Sequence, residues 1–141
     1  MGNLREELAK DTKIIKHYIK DLSFENLQDI NNQRFHKDDV ELSNDMNAVF
    51  QTYNEKNFSV LLKYTCDCTL IKKRDKIFIL EIDYFGLFEI DKRENYSKDI
   101  LTKSGIILLY PLLKPLVEYI SQSGAPFSIS LNDSDFKLIK N

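Results

Sequence analysis

Between residues 58 and 90 the chain alternates. Phe58, Val60, Leu62, Tyr64, Cys66, Cys68 and Leu70 occupy every second position, with Ser59, Leu61, Lys63, Thr65, Asp67 and Thr69 between them. A period of two predicts a strand with one buried face. After the polar segment KKRDK, residues 72–76, the alternation resumes over 77–90. Phe78, Leu80, Ile82 and Tyr84 fall on one side and Ile77, Ile79, Glu81 and Asp83 on the other. A short polar connection between two alternating runs predicts an antiparallel hairpin.

Residues 13–25 predict a further strand. Its stretch HYIKDLSFEN, residues 17–26, sets Tyr18, Leu22 and Phe24 against Asp21 and Glu25, with His17 on the carboxylate side. Residues 26–37 have no clear period and predict a loop, in which Leu27, Ile30 and Phe35 are isolated apolar positions. A short strand is expected over 39–45, and the stretch to Asn57 carries little signal.

The period then changes. Residues 92–103 are charged and predict a short helix. Ser104 and Gly105 suit the start of the main helix, expected over 106–121 with Gly124 as its stop. From Ile106 to Ile120 the only charges are Lys114 and Glu118, four residues apart and therefore on one narrow face. A helix apolar nearly all round requires burial nearly all round, and one small sheet covers one side only. A second subunit is expected on the other side, with Ile107, Leu109, Leu113, Leu116, Val117 and Ile120 as interface candidates. Pro115 removes a helical hydrogen bond and is expected to kink the helix, at about 3 kcal/mol. Residues 133–140 predict a last short helix with Phe136 and Ile139 on one face. Residues 1–12 suggest a flexible leader, leaving one domain over 13–141.

Composition narrows the chemistry. The chain has 141 residues and a formal net charge of −2, which gives no electrostatic support for nucleic-acid binding. The N-terminal stretch lacks the apolar core of a secretory signal, and the apolar run 106–120 falls short of the ~20 residues of a bilayer span. A soluble, intracellular protein without membrane insertion is expected. The two histidines, His17 and His36, stand alone, and the four glycines are dispersed, so no phosphate-binding loop, nucleophile elbow or metal-ligand motif forms. Cys66 and Cys68, at i and i+2 on a strand, are expected as buried thiols rather than a disulfide or half a metal site. No catalytic residue, metal or cofactor is expected. Asp21, Glu25 and Glu81, with Ile79 among them, suggest either a solvated sheet face or an acidic docking surface for a basic partner.

Several of these segments, in order, resemble the protein-export chaperone SecB family: YIKDLSFEN (18–26), IFILEIDYFGLFEI (77–90) and LLYPLLKPLVEYISQSG (108–124). The resemblance covers roughly residues 14–140. It implies an α+β fold, a four-stranded antiparallel sheet with helices packed on one side, assembled as a dimer of dimers. It implies a cytoplasmic, ATP-independent holdase that binds unfolded secretory precursors and delivers them to the translocase motor SecA. On this resemblance Asp21, Glu25, Ile79 and Glu81 would meet the motor. A client groove would involve the loop after the first strand and the last helix, giving Leu27, Ile30, Phe35, Val40, Phe136 and Ile139 as its candidates. A SecB-like chaperone dedicated to a toxin–antitoxin system is the alternative, and a small ligand-binding enzyme lacks a polar constellation to support it.

Overall fold

The computed structural model describes residue 8 and residues 10–27, 37–124 and 139–140. Its centre is the predicted hairpin, β3 (Asn57–Leu70) and β4 (Lys76–Glu89), paired antiparallel along its length. The even-numbered side chains of both strands point to one face. Phe58, Val60, Leu62, Tyr64, Cys66 and Cys68 join Phe78, Leu80, Ile82, Tyr84 and Phe88 there, each at most 6% exposed. Arg74 closes the turn with φ 58°, held by hydrogen bonds from its N–H to the Leu70 carbonyl and from the Leu70 N–H to the Asp75 carbonyl, both 2.8 Å. The pairing shifts between Cys68 and Thr69, where Ile77 is skipped, and Ile77 is buried rather than outward as alternation predicted.

β1 (Lys13–Asn26) lies beside β4 and β2 (Val40–Thr52) beside β3, both antiparallel. The order is β1-β4-β3-β2, and β5 (Ile139–Lys140) adds in parallel to the outer edge of β2. The sequence indicated β2 only over 39–45. It runs thirteen residues because every position from Val40 to Thr52 finds a partner on β3. Polar Asn44 on its helix side interrupts the alternation. That side chain is satisfied locally, since the Tyr64 hydroxyl donates to Asn44 Oδ1 at 2.6 Å.

β1 departs from strict alternation. Its register with β4 shifts between Ile14 and Lys16 and again between Ile19 and Asp21. An extra residue in one strand exchanges the faces of everything beyond it. Tyr18 therefore stands opposite Phe85 on the outer face, whereas Leu22 and Phe24 stand opposite Ile82 and Leu80 on the inner face. The expected common face of Tyr18 and Leu22 is split. His17 changes sides too: it lies opposite Gly86, on the inner face away from Asp21, and its Nδ1 shares a 2.7 Å hydrogen bond with the Tyr84 hydroxyl. Burial pushes the Tyr84 pKa up.

The long helix α1 (Lys98–Gly124) packs on the inner face. It starts at Ser97, whose Oγ accepts the Ile100 N–H at 3.2 Å, with Asp99 in the first turn. Ser104 and Gly105, expected as a helix start, lie inside it and are buried. The small size of Gly105 serves packing. A Cβ on Gly105 would stand 2.5 Å from Val60 Cγ2, and one on Gly86 of β4 would stand 2.7 Å from Leu109 Cδ2. The helix buries Leu101, Ile106, Leu109, Tyr110, Leu113 and Val117, and leaves Pro111, Pro115 and Tyr119 exposed. Pro111 and Pro115 leave the Ile107 and Pro111 carbonyls without a helical donor, and both rings face the open side. By length and composition α1 is the only span candidate among the described residues, but half of its apolar window is packed into the protein, as for a core helix. Three interface expectations are corrected here. Leu109, Leu113 and Val117 are 0% exposed within their own subunit, so they have no surface left for another; Ile107, Leu116 and Ile120 keep some.

Two further expectations change. Leu8 is 3% exposed in the core, and the Thr12 hydroxyl donates to its carbonyl at 2.7 Å, so the end of the supposed leader belongs to the fold. Ile139 and Lys140 form a strand, not the end of a helix, while Phe136 lies outside the described residues.

The close approach at Gly105 is testable. Gly105→Val should destabilise the protein by about 2 kcal/mol, the usual scale of overpacking. Adding Val60→Ala should recover part of that loss, because Val60 is the side chain in the way. Urea denaturation of the single and double variants gives the coupling, and purely additive losses would contradict the packing described.

Candidate functional site

With one face taken by α1, no described element packs on the other face of the sheet. Directly opposed residues in an antiparallel sheet share a face, so the register defines its rows. One row is Tyr18, Phe85, Leu61 and Val49; the next is Asp21, Asp83, Lys63 and Asn47. Then follow Ser23, Glu81, Thr65 and Asp45, and finally Glu25, Ile79, Asp67 and Ser43. Asp21, Glu25, Ile79 and Glu81 thus lie together on adjacent strands of one face. Asp21, Glu25 and Glu81 are exposed and Ile79 is half-buried.

Sequence reasoning missed part of this surface. Asp83, Asp67 and Asp45 extend the carboxylates across all four strands. Their cations are few: Lys63 lies opposite Asp83, and Lys76 pairs with Asp67 at 3.6 Å. Asp21 and Asp83 are directly opposed like charges, which oppose pairing. Beside them runs the apolar row. Tyr18 and Phe85 have ring centroids 5.0 Å apart, Lys16 Nζ lies 5.6 Å from the Tyr18 ring centre, and Val49 is 51% exposed. A signal for it existed: Leu61, Ile79, Phe85 and Leu87 are apolar at positions that alternation assigns outward.

The expected groove residues do not converge. Leu27, 40% exposed, donates its N–H to the Ile77 carbonyl at 2.8 Å, beyond the end of β1. Val40 is half-buried opposite Leu70, with β4 and β3 between it and β1. Ile139 is opposite Met46, six residues further along β2, or about 20 Å. Ile30, Phe35 and Phe136 lie outside the described residues. What the structure offers instead is edges. β1 has no neighbour on its outer side among the described residues, and all of it except Phe24 is exposed, including Ile14, Ile15 and Ile19.

The two thiols are free and buried, and burial pushes each pKa up to about 11. At neutral pH they carry no thiolate character and are poor nucleophiles. Among the described residues no group of three or more His, Cys, Asp or Glu is placed to hold a metal ion.

These features define a class: a small α+β scaffold with one face closed by a helix and the opposite face charged. The family model described as preprotein translocase subunit SecB matches residues 5–139, and the chain belongs to that family of protein-export chaperones. A protein-export protein SecB of Dinoroseobacter shibae is 28% identical over 126 residues, which cover 88% of this chain and 73% of the relative. One from Orientia tsutsugamushi strain Boryong is 28% identical over 128 residues, covering 88% and 78%. In fold the chain is similar to a Mycobacterium tuberculosis SecB-like chaperone solved in complex with a ChAD peptide from an antitoxin. The TM-score is 0.69 at 12% identity, covering 90% of this chain and 93% of that one.

The thiol burial makes a pH prediction. A thiol whose folded pKa is raised from 9.0 to about 11 binds its proton more tightly folded than unfolded. The contribution is present below pH 9 and is lost as the pH rises toward 11. The urea midpoint of the wild type should fall more steeply between pH 9 and 11 than that of Cys66→Val/Cys68→Ala. Parallel profiles would contradict the assignment.

Proposed function

We propose that the protein is a cytoplasmic, ATP-independent holding chaperone that binds unfolded secretory precursors and delivers them to the translocase motor SecA. The observation that carries this reading is the SecB family match over residues 5–139. The fold suits it physically. Apolar attraction is non-directional, so exposed apolar surface accepts many sequences. Open strand edges add main-chain hydrogen bonds to an extended client. The carboxylate rows around Asp21, Glu25 and Glu81, interrupted by Ile79, suit a basic docking partner such as a motor domain.

The same reading includes self-association to a homotetramer. Two different surfaces support it: the β1 edge, unpaired among the described residues, and the side of α1 away from the sheet, where Tyr119 is 70% exposed and Ile107 is half-buried. Two distinct self-complementary contacts on one chain generate a dimer of dimers. Several client sites per assembly would then raise avidity. A second reading, a chaperone dedicated to one antitoxin, is favoured by the antitoxin-peptide complex of the mycobacterial neighbour. Affinity capture separates the two: many precursors, or a single antitoxin.

The purified protein should delay refolding of a denatured precursor without ATP, and native mass spectrometry of the same sample should give four chains. Refolding at the uncatalysed rate, or a stable monomer, would contradict the proposal. Exchanging the charges in Asp21→Lys/Glu25→Lys/Glu81→Lys should leave circular dichroism unchanged, since exposed charges contribute at most about 1 kcal/mol. It should abolish SecA binding in titration calorimetry, and wild-type binding should weaken with salt. A folded triple variant with wild-type affinity would make this face a solvated surface only.

A further inference from the structure

The outer face of the sheet is divided into two unlike zones. Beside the carboxylate rows runs the row Tyr18, Phe85, Leu61 and Val49, apolar across all four antiparallel strands. Tyr18 is 42% and Val49 51% exposed, with Phe85 and Leu61 half-buried between them. On one flank the next two rows place Asp21, Asp83, Glu81 and Asp45 with Lys63. Lys20 stands at the bulge beside Asp21, and that flank is still net negative. On the other flank Lys16 is opposite Leu87, followed by Ser59 and Gln51.

The dimensions of the apolar row suit one kind of segment. Adjacent strands stand about 4.8 Å apart, so the row runs about 14 Å across the sheet. An α-helix advances about 5.4 Å per turn, and its apolar stripe presents roughly one or two side chains per turn. The stripe therefore recurs at nearly the spacing of the strands, and about ten helical residues span the row. An extended segment laid along the row is out of step, because its same-face side chains recur at about 6.7 Å. A helix with its side chains is about 10 Å wide, so one seated on the row sets a flank over Asp21 and Asp83.

We propose that the outer face receives an amphipathic helix of a partner protein. It lies across the strands with its apolar stripe on Tyr18, Phe85, Leu61 and Val49 and a Lys- or Arg-bearing flank over Asp21 and Asp83. Charge complementarity identifies the occupant. Asp21 and Asp83 are directly opposed like charges, and a cation set between them relieves a repulsion that folding leaves in place. A second copy of this face would set carboxylates against carboxylates. Lys16, with its Nζ 5.6 Å from the Tyr18 ring centre, favours basic residues on one flank of the helix only. Tyr18 and Phe85, with ring centroids 5.0 Å apart, supply an aromatic anchor. This inference rests on the reading of this face as a docking surface for a basic partner and deepens it. It names the form of the docked segment and adds an apolar anchor that charge alone does not require.

The test uses the full chain and a fluorescent helix-forming peptide of about fourteen residues, with leucine at every third or fourth position and lysine along one flank. Its counterpart has the same composition in scrambled order, hence the same charge without the stripes. In anisotropy titrations wild type should bind the patterned peptide about tenfold more tightly than the scrambled one, the scale of losing one anchor. Tyr18→Ser/Val49→Ser should bind both peptides with similar affinity and keep the salt dependence. Val49→Ser alone, a change at an exposed position, should fall between. Asp21→Asn/Asp83→Asn should weaken both peptides and flatten the salt dependence. Circular dichroism checks the fold of each variant. Equal affinity of wild type for the two peptides, or wild-type binding by the serine variants, would overturn this inference. Loss of SecA binding in Asp21→Lys/Glu25→Lys/Glu81→Lys would then still uphold the charged docking surface. No peptide binding, together with SecA binding indifferent to that triple exchange, would overturn both.

Discussion

The contact on which the structure depends is the seat of α1 on the β3–β4 hairpin. Two glycines, Gly86 on the sheet and Gly105 on the helix, let the surfaces approach more closely than side chains would allow. That approach buries Phe58, Val60, Leu62, Phe88, Leu109 and Leu113 together. One face of the sheet is thereby closed, and among the described residues the surfaces left for other molecules are the opposite face, the strand edges and the outer side of the helix.

The same constraint accounts for how little conventional chemistry the protein displays. Its buried polar groups are satisfied within the fold: Tyr64 by Asn44, Tyr84 by His17, Thr102 by the Lys98 carbonyl. Its thiols are buried and held protonated. The free features are repetitive ones, rows of carboxylates and lengths of main chain. These suit partners recognised by charge or by extended conformation, as expected of an export chaperone in the SecB family.

The hairpin was legible because β3 and β4 alternate over their full lengths, with aromatic and branched residues on the core face. The acidic face was legible in part for the same reason. β1 misled because a bulge leaves no mark in composition, yet it moved Tyr18 and His17 across the sheet. β2 was expected to end at Asp45 because the residues beyond it carry little signal of their own; the pairing of Met46 to Thr52 is supplied by β3. On the helix, Ser104 and Gly105 looked like an N-terminus, when both are buried inside it and Gly105 lies close against Val60 and Phe88. A run apolar all round also hides its own orientation. Nothing in the letters separates Leu109 and Leu113, fully buried on the sheet, from Leu116, which is only partly buried against the core. The expected groove relied on a helix over 133–140, and Ile139 belongs to a strand.

The central proposal is that client polypeptides engage the sheet edges and outer surfaces while the helix-covered hairpin stays closed. Hydrogen exchange with and without a saturating unfolded precursor tests it most directly. The account predicts added protection at amides of β2, with β3 and β4 amides unchanged because their hydrogen bonds already face one another. Loss of protection in β3 and β4 on client binding, or no change anywhere in β2, would contradict it.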